Sequence, residues 1–195
     1  MKIISFYTDD WEYPQHAKRM RADCSKLGLD VYVAEQESRQ DYIRNTAIKP
    51  FFIKDCLEKF KIPVLWVDVD GLLLKRPERL LPWPKVDFAA VKHFTAYQGR
   101  EWAVGLMWFN YTPQALALVD AWCAAAVTGT DEAAFDIAWK SMRQSVTALE
   151  LPAEYHYVRW RTTVPIPTNT VFCNQLSKSP DKMRRKFNGQ VIEND

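Results

Sequence analysis

Residues 62–71 read Ile62-Pro63-Val64-Leu65-Trp66-Val67-Asp68-Val69-Asp70-Gly71. A short unbroken apolar run closed by turn residues is the pattern of a strand buried on both faces of a parallel sheet, because a strand with one wet face alternates apolar and polar residues. Two carboxylates close the run, followed by Gly71. In an extended chain, side chains two apart lie on the same side. Open α/β sheets bind ligands beyond the carboxyl ends of their strands. Gly71 lets the backbone turn sharply at that point. Two carboxylates facing one way repel unless a cation lies between them, and Mg²⁺ or Mn²⁺ takes such oxygen ligands, usually together with substrate phosphates. Asp68 and Asp70 are thus candidate metal ligands. The plainer alternative is a solvated turn.

The flanking sequence supplies the rest of an α/β pattern. Upstream, an apolar strand over 3–7 ends at Thr8-Asp9-Asp10. Pro14 suits the first turn of a helix reaching residue 27, and Gly28 stops it. A strand spans 29–34 and a polar loop 35–45. Ile48, Phe52, Cys56 and Phe60 recur every four residues, which predicts a helix over 46–60. Downstream, the chain is loop-like from Pro77 through Pro84, with strands over 87–91 and 104–110. Thr112-Pro113 starts a helix reaching residue 127. Gly129 ends it, and Thr130 or Asp131 caps another over 132–142. A short strand covers 148–151, and the remainder, with Pro152, Pro165 and Pro167, is irregular. Strand–helix alternation predicts a mostly parallel central sheet with helices on both faces, in a single compact domain over 1–195.

Composition narrows the function classes. The chain has 195 residues, 48% apolar and 26% charged, which suits a globular domain. Its net charge of +2 gives no bulk attraction to a polyanion. From Arg159 onward, however, seven Lys and Arg face three acids, so a basic tail is balanced by a mildly acidic remainder. Aromatic residues reach 13%, which suits a dense core or a cleft that stacks flat ligands. Phe52, Phe60 and Trp66 read as core, and Tyr7, Trp108 and Trp102 as stacking candidates. Cys24, Cys56, Cys123 and Cys173 are widely spaced, which argues for buried thiols rather than a disulfide framework or zinc site. The longest apolar stretch, 102–127, is broken by Asn110, Pro113, Gln114 and Asp120 and is no membrane span. With no secretory signal, the expected location is cytoplasmic.

Two families resemble parts of this sequence. Asp68-Val69-Asp70-Gly71-Leu72-Leu73 is similar to the nucleophile motif of haloacid-dehalogenase phosphatases, in which Asp68 would be the nucleophile. Thr128-Gly129-Thr130-Asp131-Glu132 imitates that family's late acidic motif, although it follows an alanine-rich helix. The wider resemblance is to the GT-A class of nucleotide-sugar glycosyltransferases, with their D-x-D metal motif. Ile4-Ser5-Phe6-Tyr7-Thr8-Asp9 looks like that family's first strand and nucleotide-binding edge. Asn45-Thr46-Ala47-Ile48-Lys49-Pro50-Phe51-Phe52-Ile53 resembles the element opening the helix before the D-x-D strand. Val104-Gly105-Leu106-Met107-Trp108-Phe109-Asn110 looks like the strand lining the sugar pocket, and Asp131-Glu132 like the acidic element at a helix N-terminus. The likeness runs in order over about residues 3–155.

The GT-A resemblance implies a transferase that moves a sugar from a nucleoside-diphosphate sugar, a UDP-sugar above all, with Mn²⁺ or Mg²⁺. It assigns the nucleotide to Tyr7, Thr8, Asp9, Asn45, Lys49 and Asp68, with Asp9 alternatively capping the helix at Pro14. The sugar falls to Gly105 and Asp131, acceptor activation to Asp131 or Glu132, and the metal to Asp68 and Asp70. Many members take a third metal ligand from a late histidine. The late segment Val171-Phe172-Cys173-Asn174-Gln175-Leu176-Ser177 has none, so Asn174, Gln175 or water becomes the substitute. His16, His93 and His156 read as ordinary polar residues. The acceptor is open, and the basic tail makes nucleic acid one option. A non-catalytic nucleotide-sugar-binding module is a further alternative.

Overall fold

The computed structural model describes residues 1–97, 99–126, 129–158 and 165–174. At its centre the apolar run forms β3 (Val64–Val67), with all four residues buried. Val64 and Trp66 point into one core, Leu65 and Val67 into another, so this strand separates two apolar layers. β1 (Lys2–Thr8) runs parallel to β3 on one side and to β2 (Val31–Gln36) on the other. On the far side of β3 lies β6 (Arg100–Phe109), antiparallel to it, then β5 (Phe88–Tyr97) and β7 (Ala148–Leu151). The order is β2-β1-β3-β6-β5-β7, with β6 the one reversed strand of this sheet. The mostly parallel α/β sheet expected from the sequence is the fold observed.

Helices cover both faces unequally. α3 (Lys49–Phe60), α4 (Pro113–Ala125) and α5 (Asp131–Met142) pack against the layer containing Trp66, Phe88 and Met107. α1 (Tyr13–Lys26) covers the other face through Ala17, Met20 and Cys24. It shares that face with a small second sheet of β4 (Leu72–Leu73), β8 (Tyr157–Val158) and β9 (Phe172–Asn174), in the order β4-β9-β8. That sheet corrects the expectation of an irregular C-terminal region; its strands are two or three residues long, too short for a periodic signal.

Other boundaries shift for identifiable reasons. The loop expected over 35–45 contains α2 (Tyr42–Thr46), started by Asp41, whose side chain accepts from the Arg44 N–H at 2.9 Å. β5 and β6 are ten residues each and form a hairpin, because register shifts after Ala90 and Lys92 interrupt the alternation that would have shown their full length. Thr112 and Thr130 cap α4 and α5 by accepting from the N–H groups of Ala115 and Ala133. Cys24, Cys56 and Cys173 are buried and Cys123 is half-buried; all four are thiols. Burial pushes those of Cys24 and Cys56 up to about 12. Trp108 and Trp102 are core residues, 0% and 3% exposed, which removes both as stacking surfaces. No helix among the described residues is long and apolar enough to cross a membrane. Of the basic tail, 159–164 and 175–195 lie outside the described residues.

Candidate functional site

β3 stops at Val67, and the acidic pair sits on a turn rather than on extended chain. The Gly71 N–H donates to the Asp68 carbonyl at 3.0 Å and closes that turn. Two further contacts fix it. The Asp68 N–H donates to the Gly105 carbonyl on β6 at 2.8 Å. From α1, the Arg19 guanidinium donates to the carbonyls of Val69 at 3.2 Å and Gly71 at 2.8 Å. Gly71 does not adopt a positive φ. A glycine is required there because a Cβ would lie 2.1 Å from Cε2 of Phe172 on β9. The small second sheet therefore presses directly against the turn that carries Asp68 and Asp70.

Lys49, the first residue of α3, is 4% exposed and joins that turn to α5. Its ammonium donates to Asp68 Oδ1 at 2.9 Å, to Asp131 Oδ2, and to the Val104 carbonyl at 3.3 Å. Three N–H bonds meet three protein acceptors, and the Trp66 ring lies 5.2 Å away. Burial opposes the charge on Lys49, but Asp131 and Asp68 outweigh it and raise its pKa above the ordinary value. Asp68 also accepts from the Trp66 indole at 2.9 Å. Burial pushes the Asp68 carboxyl up; Lys49 counters it, while Asp70 and Asp131 add to it. In this structure Lys49 is an internal counter-ion, with its donors used on protein rather than held out for a phosphate.

These groups open onto a cavity of about 630 Å³ beyond the carboxyl ends of β1 and β3. Of the residues singled out in the sequence, Tyr7, Thr8, Asp9, Asn45, Lys49, Asp68, Asp70 and Asp131 line it. Tyr7 is half-buried, its hydroxyl donating to Glu35 at 2.8 Å and its ring beneath Arg21. Asp9 is exposed at the cavity and caps nothing; α1 starts after Glu12 without a side-chain cap. Asn45 accepts from the Arg39 N–H at 2.7 Å, bracing its own loop. Sequence reasoning missed Asp10, Trp11, Tyr13, Ser38, Gln40 and Tyr42, which also line the cavity. Only the Asp10-Trp11 run directly after the first strand carried a local signal for them.

Three expected residues sit elsewhere. Glu132 turns away from Asp131 and binds His93 at 2.8 Å and Arg100 at 2.7 Å, tying α5 to the β5–β6 hairpin. Burial pushes its carboxyl up, but His93 and Arg100 prevail and hold it at about 2. Gly105 and Asn174 meet behind the Asp68 turn with His156. A Cβ on Gly105 would lie 2.6 Å from His156 Nε2 and 2.9 Å from Asn174 Nδ2, so these side chains pack directly against the glycine. His156, set aside in the sequence, is thus placed beside the late Asn174; their separation of 18 residues hid the meeting.

The cavity is strongly acidic. Among the described residues, six aspartates line it, at positions 9, 10, 41, 68, 70 and 131, against Lys49 as the sole basic residue of the lining. Among the described residues, no three His, Cys, Asp or Glu side chains form a group able to hold a metal ion. Mg²⁺-type sites, however, commonly use one or two carboxylates and complete their shell with substrate phosphate and water. Asp68 and Asp70 fit that sparse donor set, and Asn174 Oδ1 is a buried oxygen with no hydrogen-bond partner.

No family model and no curated protein sequence matches the chain. Solved structures do. The chain is similar to a glycosyltransferase involved in glycosylation of the major capsid of PBCV-1, at TM-score 0.68 and 13% identity over 95% of this chain and 97% of that one. It is similar to the galactosyltransferase LgtC, crystallised with donor and acceptor sugar analogues, at TM-score 0.59 and 10% identity over 92% and 88% of the two chains. It also resembles the glycosyltransferase GlyE of Streptococcus pneumoniae TIGR4, at TM-score 0.64 and 11% identity, covering 91% of this chain and 56% of that one. The fold is that of GT-A glycosyltransferases.

Proposed function

We propose that this protein transfers a sugar from a nucleoside-diphosphate sugar, a uridine one above all, to an acceptor. One observation carries the reading: the paired carboxylates of Asp68 and Asp70 and the buried Lys49–Asp131 pair converge on one cavity at the strand ends of a glycosyltransferase fold. The cavity volume, about 630 Å³, suits a ligand of nucleotide-sugar size. Tyr7, Thr8 and Asp9 take the nucleoside end. Asp68 and Asp70 hold Mn²⁺ or Mg²⁺, whose chemistry is to neutralise charge on the departing diphosphate. A cation is needed on electrostatic grounds, because a polyanionic ligand otherwise faces six carboxylates and a lysine already neutralised by two of them.

Asp131 is the candidate for holding a sugar hydroxyl or accepting the proton of the acceptor. It lines the cavity and is 7% exposed, and its Oδ2 accepts from the Lys49 ammonium, which orients it. Glu132, bound to His93 and Arg100, serves the scaffold instead. The acceptor is left open; a macromolecule, modified DNA included, is the option that a basic tail would suit. A phosphatase nucleophile fits less well, since the fold matches glycosyltransferases and Asp68 Oδ1 is already shared by Trp66 and Lys49. Calorimetric titration with UDP and Mn²⁺ tests the reading. Saturable binding that weakens at least tenfold in Asp70→Asn is expected; no heat with UDP, GDP, CDP or ADP would reject it.

A further inference from the structure

β1 and β2 remain paired to their last residues, Thr8 opposite Gln36, and then lead into separate loops. Asp10 rejoins those loops. Its Oδ1 accepts from the Thr8 hydroxyl at 2.6 Å and its Oδ2 from the Ser38 hydroxyl at 2.7 Å. Ser38 Oγ in turn accepts from the Gln40 N–H at 3.2 Å and the Asn45 amide at 3.4 Å. With both acceptor positions of that hydroxyl filled, its proton must go to Asp10. The polarity of the chain of bonds is therefore fixed, and Asp10 spends both oxygens on protein. Asp9, one residue earlier, is the exposed member of the pair.

The two residues beside this link have uncommon backbones. Trp11 at φ 53° and Gln40 at φ 55° are left-handed without being glycine, and both line the cavity. Such residues persist only where their surroundings over-determine them, and they gather at ligand sites. Trp11 is also 48% exposed, so its own packing does not explain its conformation. The Asp10–Ser38 link does, because it fixes the residue immediately before Trp11 and the one two before Gln40.

We infer that Asp10 and Ser38 are positioning residues for the nucleoside end of the donor site. Their link holds Trp11 and Gln40 in place before any ligand arrives. A flat base then enters a formed slot without the cost of ordering two loops. This rests on the nucleotide-sugar reading above. It assigns Asp10 a role separate from that of Asp9 and one that touches no ligand.

The test uses the full chain and whichever of UDP, GDP, CDP and ADP the wild type binds best with Mn²⁺. Asp10→Ala and Ser38→Ala are each expected to raise Kd and donor KM about tenfold, the loss of roughly one well-placed hydrogen bond, while kcat at saturating donor stays within about twofold. The double variant should bind no more weakly than the worse single one, because both cut the same link. Asp10→Asn should restore most of the affinity, its amide oxygen accepting from Ser38 and its N–H facing the Thr8 hydroxyl. Should Asp10→Ala melt before titration, Ser38→Ala and Asp10→Asn decide the matter. Wild-type binding with unchanged affinity in Ser38→Ala, or losses that multiply in the double variant, overturns the inference alone. Failure of the wild type to bind any of the four nucleotides overturns the functional reading beneath it.

Discussion

At the residue scale, Lys49 is the side chain on which the site turns. One buried ammonium holds two carboxylates that come from different elements and would otherwise repel. Removing one member of such a group strands the others without compensation, which costs about 3–5 kcal/mol. Lys49→Met keeps the length and drops the charge. It should lower stability by about that amount in urea denaturation; a loss under about 1 kcal/mol would mean that the three groups are not coupled as described. Glu132 gives a second test, through pH. Its folded pKa is lowered from 4.5 to about 2, so its bonds to His93 and Arg100 stabilise the protein above the unfolded value and fade as pH falls through the folded one. The stability difference between wild type and Glu132→Gln should therefore be full near pH 5 and shrink toward pH 2, spanning up to about 3 kcal/mol. A difference independent of pH would contradict the assignment. These pairings were hidden in the sequence, which placed Lys49 on a phosphate and Glu132 in the cleft, because ion pairs between distant segments leave no local pattern.

At the scale of elements, the D-x-D turn is held from three sides: by β6 through the Gly105 carbonyl, by α1 through Arg19, and by β9 through Phe172. The closest approach is at Gly71, where an added Cβ would meet the Phe172 ring edge at 2.1 Å. Gly71→Ala should therefore push β9 off the turn, cost about 1–3 kcal/mol, and weaken metal-assisted nucleotide binding at the same time. Thermal unfolding checks the first effect and titration the second; a variant with wild-type melting would show that the contact relaxes freely. Elements were legible where their signal was local. The run from Val64 to Val67 is apolar throughout because both its faces are buried, and Thr112, Pro113 and Thr130 mark helix starts by their own chemistry. The full β5–β6 hairpin was not legible, since its bulges reset the alternation. Nor were β8 and β9, whose pairing depends on contacts across the chain rather than on their own few residues. Trp102 and Trp108 misled for a related reason: β6 is buried on both faces, so a tryptophan on either side of it is core.

For the molecule as a whole, the sheet divides two apolar layers, and aspartates from several loops and from α5 gather at one end, beyond β1 and β3. The near-neutral total charge thus conceals a cavity with six aspartates in its lining. The D-x-D motif could be read from the sequence because its residues lie together in the chain, whereas the charge of the cavity could not, because its aspartates come from separate segments. The order of motifs along the chain was enough to anticipate the fold, but the division of labour among the carboxylates required their positions in space. Sugar transfer from a nucleotide donor is measured by the release of nucleoside diphosphate from a panel of nucleotide sugars with Mn²⁺. Turnover of at least one donor by the wild type is expected, lost on removing the metal and reduced at least a hundredfold in both Asp70→Asn and Asp131→Asn, as when a group acting in the transition state is removed. No release from any donor, or release that survives both substitutions, would contradict sugar transfer.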